Sequence, residues 1–291
     1  MKLTAKAKWA IAVGLTPALL IYIIFSIVPI IQSFYYSMME WDGITPMHFV
    51  GLQNFIEIFQ DPIFWNSAKN NLYVVIASVL GQISIALVLA LLLNRKLKGA
   101  KFFRTVGFMP VVLSSVVISL TWKLIYNSQN GLLNSLLSAV GLDGLTQNWL
   151  GDPSLAMISV CITIIWQWIG LYFVIFLAAL QNVPKEIIES AQIDGASEWK
   201  TTWKITLPII WDSIILAVIL CISGSLRTFD LIYVMTNGGP GHATGVMAIY
   251  MFKSTFVNSQ FGYGSAVSVT IFFFSLILIF IVTRLLGRKM I

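Results

Sequence analysis

Six long apolar runs constrain the fold of this chain more than any other feature of its sequence. They cover about Trp9–Ile31, Leu72–Leu93, Val106–Ile125, Ala156–Leu180, Ile209–Leu226 and Tyr263–Leu286. Each reaches the roughly 17–25 residues that a helix needs to cross about 30 Å of hydrocarbon. Because an open strand would leave backbone amides unsatisfied in lipid, helices are the expected form. The sequence therefore predicts an all-α membrane protein with about six transmembrane helices.

The composition supports a membrane location. Hydrophobic residues make up 58% of the chain and charged residues only 10%, and the mean hydropathy is +0.86. A soluble domain carries roughly 25% charged residues, so most of the surface of this chain must face lipid. Cys161 and Cys221 both lie inside apolar runs, and we interpret them as small packing residues without a disulfide.

The first apolar run follows Lys2, Lys6 and Lys8, as the core of a secretory signal peptide would. It is longer than the roughly 7–15 residues of such a core, and no Ala-x-Ala cleavage site follows it. We therefore predict that this run is an uncleaved first span.

The basic residues predict the orientation in the membrane. Fourteen of the 18 lysines and arginines fall on one side of the predicted spans: Lys2, Lys6, Lys8, Arg95, Lys96, Lys98, Lys101, Arg104, Lys185, Lys200, Lys204, Arg284, Arg288 and Lys289. Cytoplasmic loops carry such an excess, so both termini are predicted to be cytoplasmic. The net charge of +6 is then a topology signal, and we expect no nucleic acid partner.

Three segments are predicted to lie outside the cell membrane. Residues 32–70 are aromatic and acidic, residues 126–155 are rich in Gly, Asn and Ser, and the run Asn237-Gly238-Gly239-Pro240-Gly241 interrupts the connection between the last two spans. We interpret most aromatic residues at the span ends as a headgroup belt. His48 and His242 are predicted to be solvated loop residues.

Residues 181–208, between spans four and five, predict a helix–turn–helix hairpin. Pro184 suits a first helical turn, and Asp194-Gly195 supplies a turn because glycine tolerates positive φ. Ser197 can cap a second short helix that carries Trp199 and Trp203 at i and i+4. An amphipathic loop lying on lipid headgroups is the alternative interpretation of the pattern.

Two motifs in this part of the chain resemble a known family. The run Glu189-x-Ala191-x-x-Asp194-Gly195-Ala196, followed by Trp203-x-Ile205-x-Leu207-Pro208, is similar to the EAA loop of ABC-importer permeases. The segment Phe229–Pro240 and the run Gly51-Leu52-Gln53-Asn54-Phe55 resemble the sugar-permease branch, which includes the maltose-type importers. Ser190 stands where the family has alanine, and Trp203 stands where Phe is frequent. With the six-span layout, the resemblance extends over nearly the whole chain.

The resemblance implies a type I ABC importer transmembrane fold, with one permease domain over residues 1–291. The hairpin would be a cytoplasmic coupling element that docks on a separate ATPase, where Glu189 makes a charged contact and Gly195 sets the angle between the helices. The expected coupling residues are Glu189, Ala191, Asp194, Gly195, Ala196, Trp203, Leu207 and Pro208. The chain has no Gly-x-x-x-x-Gly-Lys-Ser/Thr run, so we expect no cofactor here and place ATP and Mg on the ATPase.

The same resemblance implies the remaining partners and the location. These are a second homologous permease, two ATPase subunits and an extracytoplasmic substrate-binding protein, in a bacterial or archaeal plasma membrane. Six spans with one coupling loop would form only half of the translocation path, because the path must contact two ATPases. A dimer of permeases is therefore expected.

Polar residues at membrane depth suggest where a substrate passes. Cys221, Gly224, Ser225 and Thr228 fall on one face of the predicted fifth span, and Gln167, Trp168 and Leu171 fall on one face of the fourth. The family resemblance places the substrate path between these helices, and an aromatic ring beside hydrogen-bonding groups suits a sugar. Ordinary helix packing is the alternative for the small-residue stripe. We interpret Gln82, Ser114, Ser115 and Ser119 as packing residues.

Two other functional classes fit the sequence less well. A secondary transporter often places a carboxylate near the midplane, whereas Asp212 and Asp230 lie near opposite ends of span five. A membrane-embedded enzyme needs a reactive constellation, and the spans contain no histidine, so we predict neither a catalytic nor a metal site. The prediction is an ABC permease for a sugar or oligosaccharide. A permease for glycerol phosphate or another polyol, and less so an ATP-independent carrier, are the alternatives.

Overall fold

The computed structural model describes residues 5–94 and 99–287, which form helices joined by short loops and one two-stranded sheet. Six of the basic residues that predict the orientation lie outside these ranges: Lys2, Arg95, Lys96, Lys98, Arg288 and Lys289. The orientation therefore stays a prediction. The chain divides into two compact units, residues 1–61 with 251–273 and residues 62–250 with 274–291.

The first unit combines a long apolar helix, residues 5–36, with a small polar cap, residues 37–60. Up to residue 61 its described elements are α1 (Ala5–Tyr22), a π turn (Ile23–Ile27), α2 (Val28–Tyr36), β1 (Met39–Glu40), β2 (His48–Phe49) and α3 (Gln53–Gln60). The two strands pair antiparallel, with Met39 opposite Phe49 and Glu40 opposite His48. The predicted first span is confirmed as helix, and the helix continues to Tyr36.

Two polar side chains hold the cap together. The buried Asn54 amide donates to the carbonyl oxygens of Ser37 and Met39, both at 2.9 Å. Asp42 Oδ1 accepts from the backbone N–H groups of Ile44 and Thr45 at 2.9 and 2.7 Å. These backbone hydrogen bonds lower the pKa of Asp42 to about 2, so the carboxyl group stays ionised at neutral pH.

The second unit contains most of the helices. They are α4 (Pro62–Ser78), a π turn (Val79–Ile83), α5 (Ser84–Leu93), α6 (Ala100–Val112), α7 (Ser115–Ile125), α8 (Leu132–Ala139), α9 (Pro153–Gln181), α10 (Lys185–Ile193), α11 (Glu198–Thr201), a π turn (Thr202–Thr206), α12 (Leu207–Ile209), α13 (Trp211–Leu226) and α14 (Asp230–Thr236). The chain then continues through α15 (Met247–Phe252), a π turn (Lys253–Val257) and α16 (Phe261–Leu286). Short 3₁₀ helix also occurs at Asp143–Leu145.

The described residues include four helices that are long and apolar enough to cross a bilayer, Val13–Tyr36, Pro62–Leu93, Pro153–Gln181 and Phe261–Leu286. Two bent helix pairs raise the number of spans to six if each pair is one span. The all-α membrane fold is thus confirmed, and helices cover the predicted fourth and sixth spans. The second span begins at Pro62, ten residues before the predicted Leu72, so the end of the predicted outer segment 32–70 is helical.

The predicted third span, Val106–Ile125, is wrong as a continuous helix. Its two halves, α6 and α7, are bent by 99° at Leu113 and Ser114, which have extended backbone. Pro110 lies one turn earlier. Proline has no N–H to bond the carbonyl of residue i−4, and its ring crowds that carbonyl, so it weakens the helix before the break.

The predicted fifth span, Ile209–Leu226, also differs in detail. The helix preceding it runs from Glu198 to Ile209, and a bend of 67° at Ile210 separates it from α13. The second arm of the hairpin is therefore not a short separate helix, since it continues through the π turn to the start of the span.

Helix α9 lies at the centre of the second unit. Buried residues of α9 and α4, including Val160, Ile164 and Val74, form one cluster with Ile232 of α14 and Ile249 of α15. Helix α9 also packs closely on α6, because a Cβ atom added at Gly170 would overlap the carbonyl oxygen of Gly107. The central position of α9 lets it carry residues into the middle of this unit.

The segment 126–155 is organised around one amide. The Asn134 side chain donates to the carbonyls of Ser128 and Gln147 at 3.1 and 2.9 Å and accepts from the indole N–H of Trp149 at 2.8 Å. Helix α8 lies within this segment, and its buried Asn134 ties the helix to the loop that follows it.

Candidate functional site

A cavity of about 280 Å³ lies in the second unit, lined mainly by α9, α13 and the start of α14. All seven residues predicted to line a substrate path border it: Gln167, Trp168, Leu171, Cys221, Gly224, Ser225 and Thr228. The structure thus brings together two sets of residues that lie at least 50 positions apart in the sequence. Their role in passing substrate stays a prediction.

Two polar residues that the sequence assigns to helix packing also lie at this cavity. Gln82 and Ser115 were predicted to be packing residues, but both line the cavity. The Cys221 thiol faces Gln82 Oε1 at 3.5 Å, and the Gln167 amide donates to Ser115 Oγ at 3.0 Å. Ser119, by contrast, is fully buried and donates to the Ser115 carbonyl at 2.6 Å, as a packing residue would. The polarity of Gln82 was the available signal, but the sequence did not show which helix it faces.

Gln167 lines the cavity and carries a hydrogen-bond acceptor that is unpaired within the described part of the chain. The side chain is 1% exposed, and its Oε1 has no hydrogen-bond partner among the described residues. A buried polar atom left unpaired costs about 1–3 kcal/mol. Since Gln167 also lines the cavity, it is a candidate for substrate contact.

Thr228 was predicted to continue the helical stripe of span five, and this is wrong. Helix α13 ends at Leu226, and Thr228 lies in the break before α14. Its hydroxyl donates to the Gly224 carbonyl at 3.1 Å, which keeps it beside the stripe and at the cavity.

The rim of the cavity carries charge and an aromatic pair. Arg227 and Asp230 are exposed and line the same cavity. Phe229 stacks on Tyr233 with ring centroids 5.0 Å apart and an interplanar angle of 19°. The walls deeper in the cavity contribute amide, hydroxyl, thiol and apolar groups, with an indole from Trp168.

The hairpin has the predicted local structure. Helix α10 begins directly after Pro184, and Gly195 adopts φ +76° in the turn that follows α10. Ser197 caps α11 by accepting from the Lys200 N–H at 3.4 Å. The Trp199 and Trp203 rings lie 5.4 Å apart.

The predicted coupling residues fall into two groups. Glu189, Asp194, Gly195, Trp203 and Pro208 are exposed, whereas Ala191 and Leu207 are buried and Ala196 is half-buried. The Ala196 N–H donates to the Ala191 carbonyl at 2.9 Å, which closes the turn. Ile193 and Trp199 are 86% and 71% exposed, so the hairpin displays large apolar side chains beside its charges. Such a patch is typical of a docking surface.

Comparison with known proteins agrees with this geometry. Residues 82–291 match the family of binding-protein-dependent transport system inner membrane components. The probable ABC transporter permease protein YurN of Bacillus subtilis (strain 168) is 38% identical over 91% of both chains. The diacetylchitobiose uptake system permease protein NgcF of Streptomyces coelicolor is 36% identical over 92% of this chain and 80% of its own length. The trehalose/maltose transport system permease protein MalF of Thermococcus litoralis is 34% identical over 93% and 92%.

A solved structure shares the fold. A chain of the bacterial alginate ABC transporter, crystallised with a periplasmic protein that holds alginate pentasaccharide, superposes with a TM-score of 0.86. The match covers 97% of this chain and 96% of the other at 22% sequence identity. The family match, the relatives and the helical membrane fold agree, and the chain belongs to the binding-protein-dependent inner membrane components, the permeases of ABC importers.

Proposed function

We propose that this chain forms the translocation path for a sugar or oligosaccharide that an extracytoplasmic binding protein delivers. The cavity between α9 and α13 carries the proposal, because it places the Trp168 ring among amide and hydroxyl groups. A pyranose ring has apolar faces and a hydroxyl edge, and such a wall complements both. The names of two relatives, which refer to diacetylchitobiose and to trehalose and maltose, support the same substrate class.

The charges of the cavity favour a neutral substrate over a polyol phosphate. Arg227 is the single cation among the lining residues, and it shares the rim with Asp230. A phosphate would meet this carboxylate as well as the guanidinium, and repulsion from the carboxylate would offset the attraction. Uncharged donors and acceptors, such as Gln82, Gln167 and Ser115, are suited to hydroxyl groups.

The hairpin is the proposed contact with a cytosolic ATPase in a plasma membrane transporter. Its exposed Glu189, Ile193 and Trp199 offer one charge and two apolar anchors for a groove in that partner. ATP and Mg would be bound there and not by this chain. A second permease and a second ATPase would complete the assembly, with both termini of this chain in the cytoplasm.

Trp168→Ala is expected to lower substrate uptake about tenfold, which corresponds to about 1.4 kcal/mol of lost interaction. Removing the indole deletes the apolar surface on which a sugar face rests. The measurement is the initial rate of uptake of a radiolabelled oligosaccharide into proteoliposomes that contain the assembled transporter.

Trp166→Ala is the matched control. Trp166 lies two residues away on α9, where its ring packs edge-on against Trp122 at 5.6 Å and does not line the cavity. Uptake by this variant should stay within about twofold of wild type, since it is a partly exposed residue outside the cavity. Equal losses in both variants, or full uptake by Trp168→Ala, would contradict a substrate role for this cavity.

A further inference from the structure

A second groove runs along the exposed side of α6, and none of its lining residues belongs to the substrate cavity or the hairpin described above. It has a volume of about 550 Å³ and is lined by Arg104, Thr105, Phe108, Met109, Val112 and Leu113. Met109 and Val112 are 60% and 73% exposed, so the groove is open to the surroundings of the helix. One end is cationic and the remainder is almost entirely apolar.

Arg104 has unused hydrogen-bonding capacity at the polar end of the groove. One Nη donates to the Leu93 carbonyl at the end of α5, at 3.3 Å. The Nε–H is buried and has no partner among the described residues. A guanidinium carries five N–H donors and binds phosphate oxygens in a planar, two-pronged geometry. Because Arg104 lines one end of the groove, its guanidinium is suited to an anionic group bound there.

The sequence before Arg104 carries further positive charge that no nearby acidic residue balances. Residues 95–104 contain five lysines and arginines and no acidic residue. Basic segments beside a span are attracted to the anionic lipids of the cytoplasmic leaflet. Phe102 and Phe103 are exposed next to Arg104, as aromatic residues at the headgroup level are.

We propose that this groove binds an anionic phospholipid, with the phosphate at Arg104 and an acyl chain along Phe108, Met109 and Val112. From Arg104 to Val112 helix α6 extends about 12 Å at 1.5 Å per residue, which gives the acyl chain a continuous apolar track. A free phosphate ion would use only the polar end of the groove. A protein partner would have to bring acidic groups to match the basic segment, whereas an anionic bilayer surface supplies them along its whole area.

The site has a structural consequence for the hairpin. Arg104 links the start of α6 to the end of α5, and the same end of α5 contributes Leu92 and Asn94 to a groove shared with Trp199 and Thr202. A lipid held at Arg104 would stabilise the end of α5 that contacts the proposed coupling element. This inference does not depend on the transported substrate.

The test measures lipid binding to the purified full chain in detergent. Native mass spectrometry counts retained phosphatidylglycerol, and thermal unfolding measures the stabilisation by phosphatidylglycerol, phosphatidylcholine or inorganic phosphate. We expect phosphatidylglycerol to be retained and to stabilise the wild-type chain more than the other two. Arg104→Gln is expected to weaken its binding about fivefold, because it removes the guanidinium that contacts the lipid phosphate at the end of the groove.

Two further variants make the result specific. Met109→Glu places a negative charge on the apolar track without touching Arg104, and it should also weaken phosphatidylglycerol binding. It keeps the proposal testable if Arg104→Gln does not fold. Arg284→Gln is the control, because Arg284 is an exposed arginine at the end of α16 that lies over the Phe280 ring and outside the groove. Its phosphatidylglycerol binding should equal wild type.

Three results would overturn the proposal. The first is unchanged phosphatidylglycerol binding in both Arg104→Gln and Met109→Glu. The second is equal stabilisation by inorganic phosphate alone, which would make Arg104 a simple anion site. The third is loss of the lipid whenever the second permease is co-purified, which would show that a protein covers the groove.

Discussion

Replacing Glu189 by lysine is expected to weaken binding of the cognate ATPase at least about 30-fold. Glu189 is exposed on α10 of the hairpin, in the position where the family resemblance expects a charged contact. Removing one partner of a desolvated charge pair across an interface costs about 2–5 kcal/mol, and charge reversal adds repulsion. The measurement is co-purification of the ATPase with this permease, followed by a titration that gives the dissociation constant.

Glu186→Lys is the matched control for this change. Glu186 is also exposed and lies one turn earlier on the same helix, so the substitution alters the net charge of α10 by the same amount. We expect its ATPase binding to change by less than about fivefold, as for a charge at the rim of an interface. Similar losses in both variants would indicate a general charge effect, and no loss at Glu189 would remove it from the coupling set.

Gly170→Ala is expected to destabilise the protein by at least about 2 kcal/mol, even though it adds a single methyl group. The new Cβ would overlap the Gly107 carbonyl oxygen and crowd the Cα of Phe108. Both are backbone atoms of α6, so no side-chain rotation relieves the contact and the helices must separate. The measurement is the midpoint of thermal unfolding in detergent, together with the yield of folded protein.

Gly107→Ala provides the comparison on the facing helix. A Cβ at Gly107 meets no atom of the described residues within 4 Å outside its own stretch of helix. Since alanine favours a helix by roughly 1 kcal/mol over glycine, this variant should be neutral or more stable. The account of the α6–α9 contact is wrong if Gly170→Ala unfolds at the wild-type temperature, or if Gly107→Ala unfolds equally early.

The sequence predicted the long spans well because their signal is local and strong. A run such as Tyr263–Leu286 is apolar over its full length, and the helix there extends over Phe261–Leu286. The break at Leu113 and Ser114 was missed because hydropathy measures composition and not backbone dihedral angles. Pro110 was visible, but proline in a membrane helix produces anything from a slight kink to a break.

The sequence predicted only part of the candidate cavity, because it reports the spacing within one helix and not the contacts between helices. Helical spacing placed Cys221, Gly224 and Ser225 on one face, which the structure confirms as a shared cavity wall. The sequence did not place Gln82 at the cavity, since its hydrogen-bond partners Ile164 on α9 and Cys221 on α13 are distant in sequence. Contacts between helices depend on their relative rotation, and periodicity within one helix does not report it.

The hairpin, in contrast to the cavity, depends mostly on local sequence signals. The Asp194-Gly195 turn and the Ser197 cap are determined by residues within a few positions, and the structure confirms both. The continuation of the second arm through Thr202–Thr206 was not predicted, because this π turn has no local capping signal.

The most direct test of the central claim is whether uptake requires ATP hydrolysis by a separate subunit. The permease would be reconstituted in proteoliposomes with its second permease, its ATPase and its binding protein, and uptake of labelled oligosaccharide followed with ATP, with a non-hydrolysable analogue, or without the ATPase. The account predicts accumulation only with ATP, the ATPase and the binding protein together. Uptake at a similar rate without ATP or without the ATPase would contradict it and identify the chain as a secondary transporter.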